Sequence, residues 1–369
     1  MDTYIINKLS IIFVYDFNDK LDKYLDIINK YTRLIFPNSY NYEEIKKKSN
    51  LNYYSKRGFG TGENLFDQSV DILSSTNLSH LVFGSNFDQT IDNLPTSLTH
   101  LILGDNFSQS VNNLPLKLLY LEFGYSFDHC VDNLPGSLIH LIFDQSENSE
   151  FNQSIDSLPS SIKYLTLGMI NNYKVNNLPF KLDVLIFDDN FDNNVDNLPH
   201  YIIKINFGYD FNKTVDSLPI NLLRLTFGYR FNQSVNNLPK NLISLIFDDS
   251  FKQTVDNLPN NLRYLYFGYS FNQPIDKLPQ NLYELSIGYR FSYSLLNIPK
   301  SVKILDLSDC YKVKIYKNLP EGIEQLHLNY EYEEKIIIPK SLKTITCSDN
   351  LLHSNPNLIT QNITINVIN

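Results

Sequence analysis

Residues 231–249 read FNQSVNNLPKNLISLIFDD, and residues 251–269 read FKQTVDNLPNNLRYLYFGY. Phe, Val, Leu-Pro and the closing Leu-x-Phe keep their places while the residues between them change. A chain that restates one pattern at a fixed interval is building structural repeats, each burying its apolar face only against its neighbours. Leu-Pro or Ile-Pro recurs with proline at 95, 115, 135, 159, 179, 199, 219, 239, 259, 279 and 299. Every step is twenty residues except the twenty-four between Pro135 and Pro159. The spacing then loosens to Pro320 and Pro339, and FDQSVDILSSTNLSHLVF (66–83) is a copy with Ser74 in place of proline.

Each position in a copy has a physical assignment. In SLTHLILGDNFSQSVNNLP (97–115), Leu98, Leu101 and Leu103 follow L-x-x-L-x-L, and His100 to Leu103 alternate with the period of a strand. One short strand per repeat, stacked parallel on the next at about 4.8 Å, is expected. The residue after the strand is Gly84, Gly104, Gly124, Asp144, Gly168, Asp188, Gly208, Gly228, Asp248, Gly268 or Gly288. Glycine and aspartate share a tolerance of tight turns and positive φ, so a sharp bend is expected there. A phenylalanine spine follows: Phe87, Phe107, Phe127, Phe151, Phe191, Phe211, Phe231, Phe251, Phe271 and Phe291. Val or Ile comes four residues later and Leu three beyond that. This spacing would suit a helix face, but the filler is Asn, Gln, Ser, Thr and Asp, which are poor helix formers. A turn-rich, extended or short 3₁₀ outer arc is therefore expected, with six apolar side chains per turn pointing inward.

The fold class that follows is mainly β, a leucine-rich-repeat-like, right-handed parallel-β solenoid of about 14 repeats of 20 residues. A short, mostly helical N-terminal segment precedes it. The segments are a capping region over 1–50, a linker over 51–65 containing RGFGTG (57–62), the solenoid over 66–350 and a C-terminal cap over 351–369. In the first of these, LDKYLDIINKYTRLIF (21–36) sets Leu21, Leu25, Ile28 and Tyr31 on one helical face, with Asn18 or Asp19 as cap and Pro37 as stop. Two irregularities stand out: a polar bulge in FDQSENSEF (143–151), and GMINNYKV (168–175), where Asn171 takes the spine position.

These residues resemble the FNIP-repeat family, seen here as FNQSIDSLP (151–159), FNQSVNNLP (231–239) and FNQPIDKLP (271–279). That family is related to leucine-rich repeats and is frequent in slime-mould proteins and in giant viruses of amoebae. The resemblance spans about Phe66 to Asn350 and implies an interaction platform with no catalytic residues to carry over. In amoebal viruses such repeats often follow an F-box, which implies an alternative role as substrate-receptor subunit of a ubiquitin ligase. An F-box opens with Leu-Pro and holds several helices, and residues 1–50 show neither clearly. A helix shielding the first repeat is preferred.

Composition narrows the function classes. The 369 residues carry 31 Lys+Arg against 40 Asp+Glu, a formal net charge of −9, and the longest basic run is Lys46–Lys48. That argues against nucleic acid and against an anionic membrane surface. Alanine and tryptophan are both absent, the mark of an A/T-rich genome. The three cysteines, Cys130, Cys310 and Cys347, are few, odd in number and far apart, as free thiols in a reducing compartment would be. The apolar run Ile11 to Tyr15 is too short to span a membrane. An intracellular protein is expected, cytoplasmic in its cell or, if viral, in the host. Sequons such as Asn106-Phe-Ser are by-products of the repeat.

No nucleophile with a base, no phosphate loop and no paired acids emerge, so a non-enzymatic role without cofactor is expected. Function falls to the residues that vary. The first variable strand position reads His80, His100, Tyr120, His140, Tyr164, Val184, Lys204, Arg224, Ser244, Tyr264 and Glu284. The second reads Val82, Ile102, Glu122, Ile142, Thr166, Ile186, Asn206, Thr226, Ile246, Tyr266 and Ser286. Rows of exposed aromatic and aliphatic side chains are what protein interfaces use. The candidate partner-binding residues, on the expected concave face, are His80, His100, Tyr120, Glu122, His140, Tyr164, Arg224, Tyr264 and Tyr266. The partner would be a protein, of the host if the chain is viral. Tyr120 interrupts the histidines, which argues against a metal site, and solvated turns explain Asp188-Asp189 and Asp248-Asp249 better than calcium does. Tyr125, Tyr209, Tyr229, Tyr269 and Tyr289, with Arg230 and Arg290, form a second candidate edge.

Overall fold

The computed structural model describes residues 4–7, 10–13, 18–36, 65–168, 175–311, 319–359 and 363–368. Lys46–Lys48, residues 51–64 of the linker with RGFGTG, and residues 169–174 of GMINNYKV lie outside the described residues. The chain forms two compact units: Met1–Tyr173 with Asn177–Asp188, and Lys174–Asn176 with Asp189–Asn369.

In the first unit the strands are β1 (Tyr4–Asn7), β2 (Ser10–Phe13), β3 (Arg33–Ile35), β4 (His80–Val82), β5 (His100–Ile102), β6 (Tyr120–Glu122), β7 (His140–Ile142), β8 (Tyr164–Thr166) and β9 (Val184–Ile186). From β2 onward each pairs parallel with the next, and the register is set by whole repeats. Leu81 faces Leu101, then Leu121, Leu141, Leu165 and Leu185. In the second unit the strands are β10 (Lys204–Asn206), β11 (Arg224–Thr226), β12 (Ser244–Ile246), β13 (Tyr264–Phe267), β14 (Glu284–Ile287), β15 (Ile304–Leu307), β16 (Gln325–Leu328), β17 (Thr344–Ser348) and β18 (Thr364–Ile368). They too stack parallel, with Leu225, Leu245, Leu265, Leu285 and Leu305 in register. Each unit is a parallel β-solenoid with 20-residue spacing, and the two together hold about 16 turns.

The interior is built from the recurring apolar letters. In the turn of residues 231–249, Phe231, Val235, Leu238, Leu242, Leu245 and Phe247 are all buried, none more than 6% exposed. Phenylalanines meet twice. Within a bend Phe227 stacks on Phe231 at 3.6 Å, and from rung to rung Phe211, Phe231 and Phe251 follow at 6.1 Å. The outer arc consists of turns: Leu242 N donates to Pro239 O, and the same bond recurs from Leu262 to Pro259 and from Leu282 to Pro279.

The glycines after each strand serve a different purpose from the one expected. Among the described residues only Gly322 has positive φ. At Gly228 a Cβ would sit 2.0 Å from the carbonyl oxygen of Gly208, and at Gly104 it would sit 1.9 Å from that of Gly84. Close approach of successive backbones excludes the side chain there, and no special dihedral is involved. Asp144, Asp188 and Asp248 take the same position, each with glycine one repeat before and one after.

The polar letters, read from sequence as filler, form ladders. Asn or Asp after the spine phenylalanine accepts from the next rung's backbone N–H and from the following side-chain amide. Asp67 Oδ1 takes Asp88 N and Gln89 Nε2, and Asp88 Oδ1 takes Ser108 N and Gln109 Nε2. In the second unit Asn212 Oδ1 takes Asn232 N and Gln233 Nε2, and Asn232 Oδ1 takes Lys252 N. A second ladder runs through D-N-L-P: Asn113 Nδ2 donates to Asp92, Asn237 Nδ2 to Asp216 and Asn297 Nδ2 to Asp276. These bonds satisfy arc amides that no strand pairing reaches.

The N-terminal segment differs from the mostly helical one expected. Among the described residues of this segment, helical structure is limited to one 3₁₀ turn, Leu21–Tyr24, and one α turn, Leu25–Ile28. Arg33–Ile35, placed on the helix by its apolar spacing, is a strand instead. Ile11 pairs with Leu34 and Leu34 with Leu81, so β2 and β3 continue the stack. Phe13 stacks on Phe36 at 5.2 Å, and Phe36 on Phe83 at 5.9 Å. Asn18 Oδ1 accepts from Asp67 N and Gln68 Nε2, the same part that Asn212 plays. Tertiary stacking overrides local helix periodicity here. At the other end, helix Asp349–Ser354 and a 3₁₀ turn, Pro356–Leu358, precede β18. The four extra residues after Pro135 form a polar bulge whose Gln145 Nε2 donates to Leu167 O and Phe187 O.

Candidate functional site: the strand faces

With the Leu or Ile at the centre of each repeat strand from β4 to β17 turned inward, the residues on either side of it face outward. In the first unit this places His80, His100, Tyr120, His140 and Tyr164 on five consecutive strands. Their rings form a ladder: His80 on His100 at 4.1 Å, His100 on Tyr120 at 5.7 Å, Tyr120 near His140 at 5.8 Å and His140 on Tyr164 at 4.2 Å. Ser79 Oγ and Thr99 Oγ1 lie 2.9 Å from the Nδ1 atoms of His80 and His100, which orients both rings. The neighbouring column holds Val82, Ile102, Glu122, Ile142, Thr166 and Ile186, and the Tyr120 hydroxyl donates to Glu122.

Half-burial in this stack keeps the imidazoles neutral. Desolvation, then the neighbouring His100 and Arg33, lower the His80 pKa to about 4. His100 is lowered by burial, with Arg33 and His140 adding to it, and His140 by burial alone. At neutral pH the face is therefore uncharged aromatic and aliphatic surface except at Arg33 and Glu122. Rings stacked face to face cannot converge their nitrogens on an ion. Among the described residues no group of three or more His, Cys, Asp or Glu is arranged to hold a metal.

The second unit carries the remaining candidates, Arg224, Tyr264 and Tyr266, on β11 and β13. The Tyr266 hydroxyl donates to Glu284 Oε1 at 2.8 Å, and burial together with this bond raises its pKa. Glu284 was not among the candidates, although it is the register partner of Tyr264 and so lies diagonal to Tyr266. The bend edge of this unit is also ordered. Tyr209 stacks on Tyr229 and Tyr269 on Tyr289, both at 4.6 Å, while Arg230 lies over Tyr209 and Arg290 over Tyr269. Nothing in these arrangements resembles a nucleophile and base or a pocket of paired acids.

Sequence and structure comparisons agree with this architecture. The sequence profile of the FNIP Repeat matches residues 75–106, 90–126, 130–169, 194–229, 211–249, 231–270, 254–278 and 271–310, together more than half of the chain. Among solved structures, the chain is similar to CroV588, described as a novel circular LRR protein of a giant virus, at 27% identity and TM-score 0.58. That match covers 94% of this chain and 67% of the other. An internalin, InlF, from Listeria monocytogenes str. 4b F2365 matches at 13% identity and TM-score 0.51, over 82% of this chain and 83% of that one. The functional domain of InlJ from Listeria monocytogenes, which includes a cysteine ladder, matches at 13% identity and TM-score 0.50, over 79% and 64%. At such identities the two Listeria proteins share the fold alone. No curated protein matches the sequence. The register of the strands, the phenylalanine spine and the profile matches together make this chain a member of the FNIP-repeat family, with a leucine-rich-repeat-like solenoid fold.

Proposed function

We propose that this protein is a non-enzymatic scaffold that binds another protein across its strand faces. A repeat solenoid of this type is typical of protein-interaction scaffolds. The observation that carries the reading is the stacked ladder of His80, His100, Tyr120, His140 and Tyr164, whose rings are held in place yet stay partly exposed, Tyr164 to 40%. Rigid aromatic side chains lose little entropy on docking and rank among the strongest interface anchors. The partner is a protein, of the host if the chain is viral. Cytoplasm suits the three free thiols, and no helix among the described residues is long and apolar enough to cross a membrane.

Replacing Tyr120, Tyr164 and Tyr264 together by Ser, and capturing partners from native or infected cells with mass-spectrometric identification, tests the reading. Loss of a specific partner with an unchanged melting temperature is expected. Capture of the same partner by the triple variant would exclude the strand faces. The ubiquitin-ligase alternative asks residues 1–50 to recruit an adaptor. Its support is weakened because Ile11, Leu34 and Asn18 are already engaged by the stack.

A further inference from the structure

On β10 and β11 of the second unit, Lys204 and Arg224 are register partners in a parallel pair, with Asn206 and Thr226 two residues on. Like charges directly opposite in a sheet repel. Neither side chain makes an ion pair or a hydrogen bond among the described residues. Elsewhere in this unit, cations reaching across one rung meet an acid: Lys213 meets Asp192 at 2.6 Å, Arg230 meets Asp210 at 3.2 Å and Lys277 meets Asp256 at 2.8 Å. The nearest strand-face carboxylate to Arg224 in this unit is Glu284, three rungs away, about 14 Å at sheet spacing and already held by Tyr266. That distance exceeds the screening length of roughly 8 Å at physiological salt. Asn206 adds a second anomaly, since its Oδ1 is buried and accepts no hydrogen bond. A repeat that pairs its polar groups so systematically leaves a cation pair and an amide oxygen unanswered at one place. The column continues with Ser244 and Tyr264, both polar and partly exposed.

We infer that Lys204 and Arg224 form an anion-accepting spot on the strand face, and that it takes an acidic segment of the partner protein, carboxylates against the two cations. This rests on the scaffold reading and adds the partner's chemistry to it. A bound carboxylate pair cancels the Lys204–Arg224 repulsion, and rotation of Asn206 would offer its oxygen to a donor of the incoming backbone. The acid excess of the chain as a whole, 40 against 31, keeps acidic peptides off the remaining surface and gives the spot its selectivity.

The test is fluorescence anisotropy with three labelled peptides of one length, rich in Asp/Glu, in Asn/Gln or in Lys. The full chain is compared with Arg224→Thr, the double variant Lys204→Glu/Arg224→Glu and a control, Lys240→Glu on the outer arc. The acidic peptide should bind the native chain and weaken at higher salt. Arg224→Thr should lose at least tenfold in affinity while its melting temperature stays equal or rises, because a repulsion is removed. The double reversal should switch preference to the Lys peptide, and Lys240→Glu should change nothing. Equal binding by the double variant, equal loss in Lys240→Glu, or a lower melting temperature in Arg224→Thr would each overturn the inference. Inorganic phosphate at matched ionic strength should compete no better than chloride, and stronger competition would assign the spot to free phosphate. If acidic peptides fail while the tyrosine variant still loses a captured partner, the scaffold reading stands and only its acidic chemistry falls.

Discussion

Two aromatic ladders climb the first unit side by side, one inside the coil and one on its strand face. Inside, Phe87, Phe107, Phe127 and Phe151 follow at 6.2, 6.3 and 5.9 Å. Outside, on the same turns, His80, His100, Tyr120, His140 and Tyr164 lie 4.1 to 5.8 Å apart with changing tilt. The second unit has an inner ladder of the same kind from Phe211 to Phe291, while its outer column reads Lys204, Arg224, Ser244, Tyr264 and Glu284. Close packing fixes residue type where atoms are enclosed on all sides. The strand face imposes only a spacing, so its chemistry is free to change from turn to turn.

The sharpest way to break that contrast is to damage the enclosed ladder. Phe231→Ala should cost about 3–5 kcal/mol of unfolding free energy by denaturant titration. A loss under about 1 kcal/mol would mean that the inner ladder is no more constrained than the outer one. Gly228→Ala, which drives a methyl into the Gly208 carbonyl, should cost about 1–3 kcal/mol by overpacking, whereas Gly136→Ala, with open space around it, should be nearly silent. Asn212→Ala strands the Asn232 amide and should cost about 1–2 kcal/mol. Asn212→Asp should not, since Asp88 fills the equivalent place. A smaller, pH-dependent effect belongs to the outer ladder. The folded His80 pKa lies below the free value of 6.5, at about 4. The unfolded chain therefore binds the extra proton first as pH falls. Stability is unaffected by this group above pH 6.5 and is lost as pH falls from 6.5 to about 4, so the melting temperature of the native chain should drop relative to that of His80→Gln across that window. Smallest of all, Arg230→Ala at the exposed tyrosine edge should change stability by less than about 1 kcal/mol.

The Leu, Phe and Val positions, the strand, and the bend were legible because apolar periodicity and a twenty-residue interval leave one way to enclose them. The ladders of Asn and Asp were not. Helix and turn propensities weigh an asparagine against its own backbone, while the group that Asn212 satisfies lies at Asn232, a full turn away. The bend glycines were identified by position but explained by dihedral preference, since sequence does not show how near Gly208 comes to Gly228. Arg33–Ile35 was hidden because neither Leu-Pro nor the regular interval marks it, and its neighbour in the stack, β4, begins at His80. On the strand face the aromatic column was visible in the sequence, but the pairing of Tyr266 with Glu284 needed the register.

The asparagine ladders also bear on how such a chain can change over time. Each side-chain oxygen belongs to one turn and the amide it satisfies belongs to the next, so turns that carry Asn or Asp after the spine phenylalanine present matching donors and acceptors to their neighbours. A duplication or deletion of twenty residues between two such turns would rejoin matching surfaces. Length in this protein is thus inherited in whole turns, and each added turn brings two new strand-face letters that the interior places under no constraint.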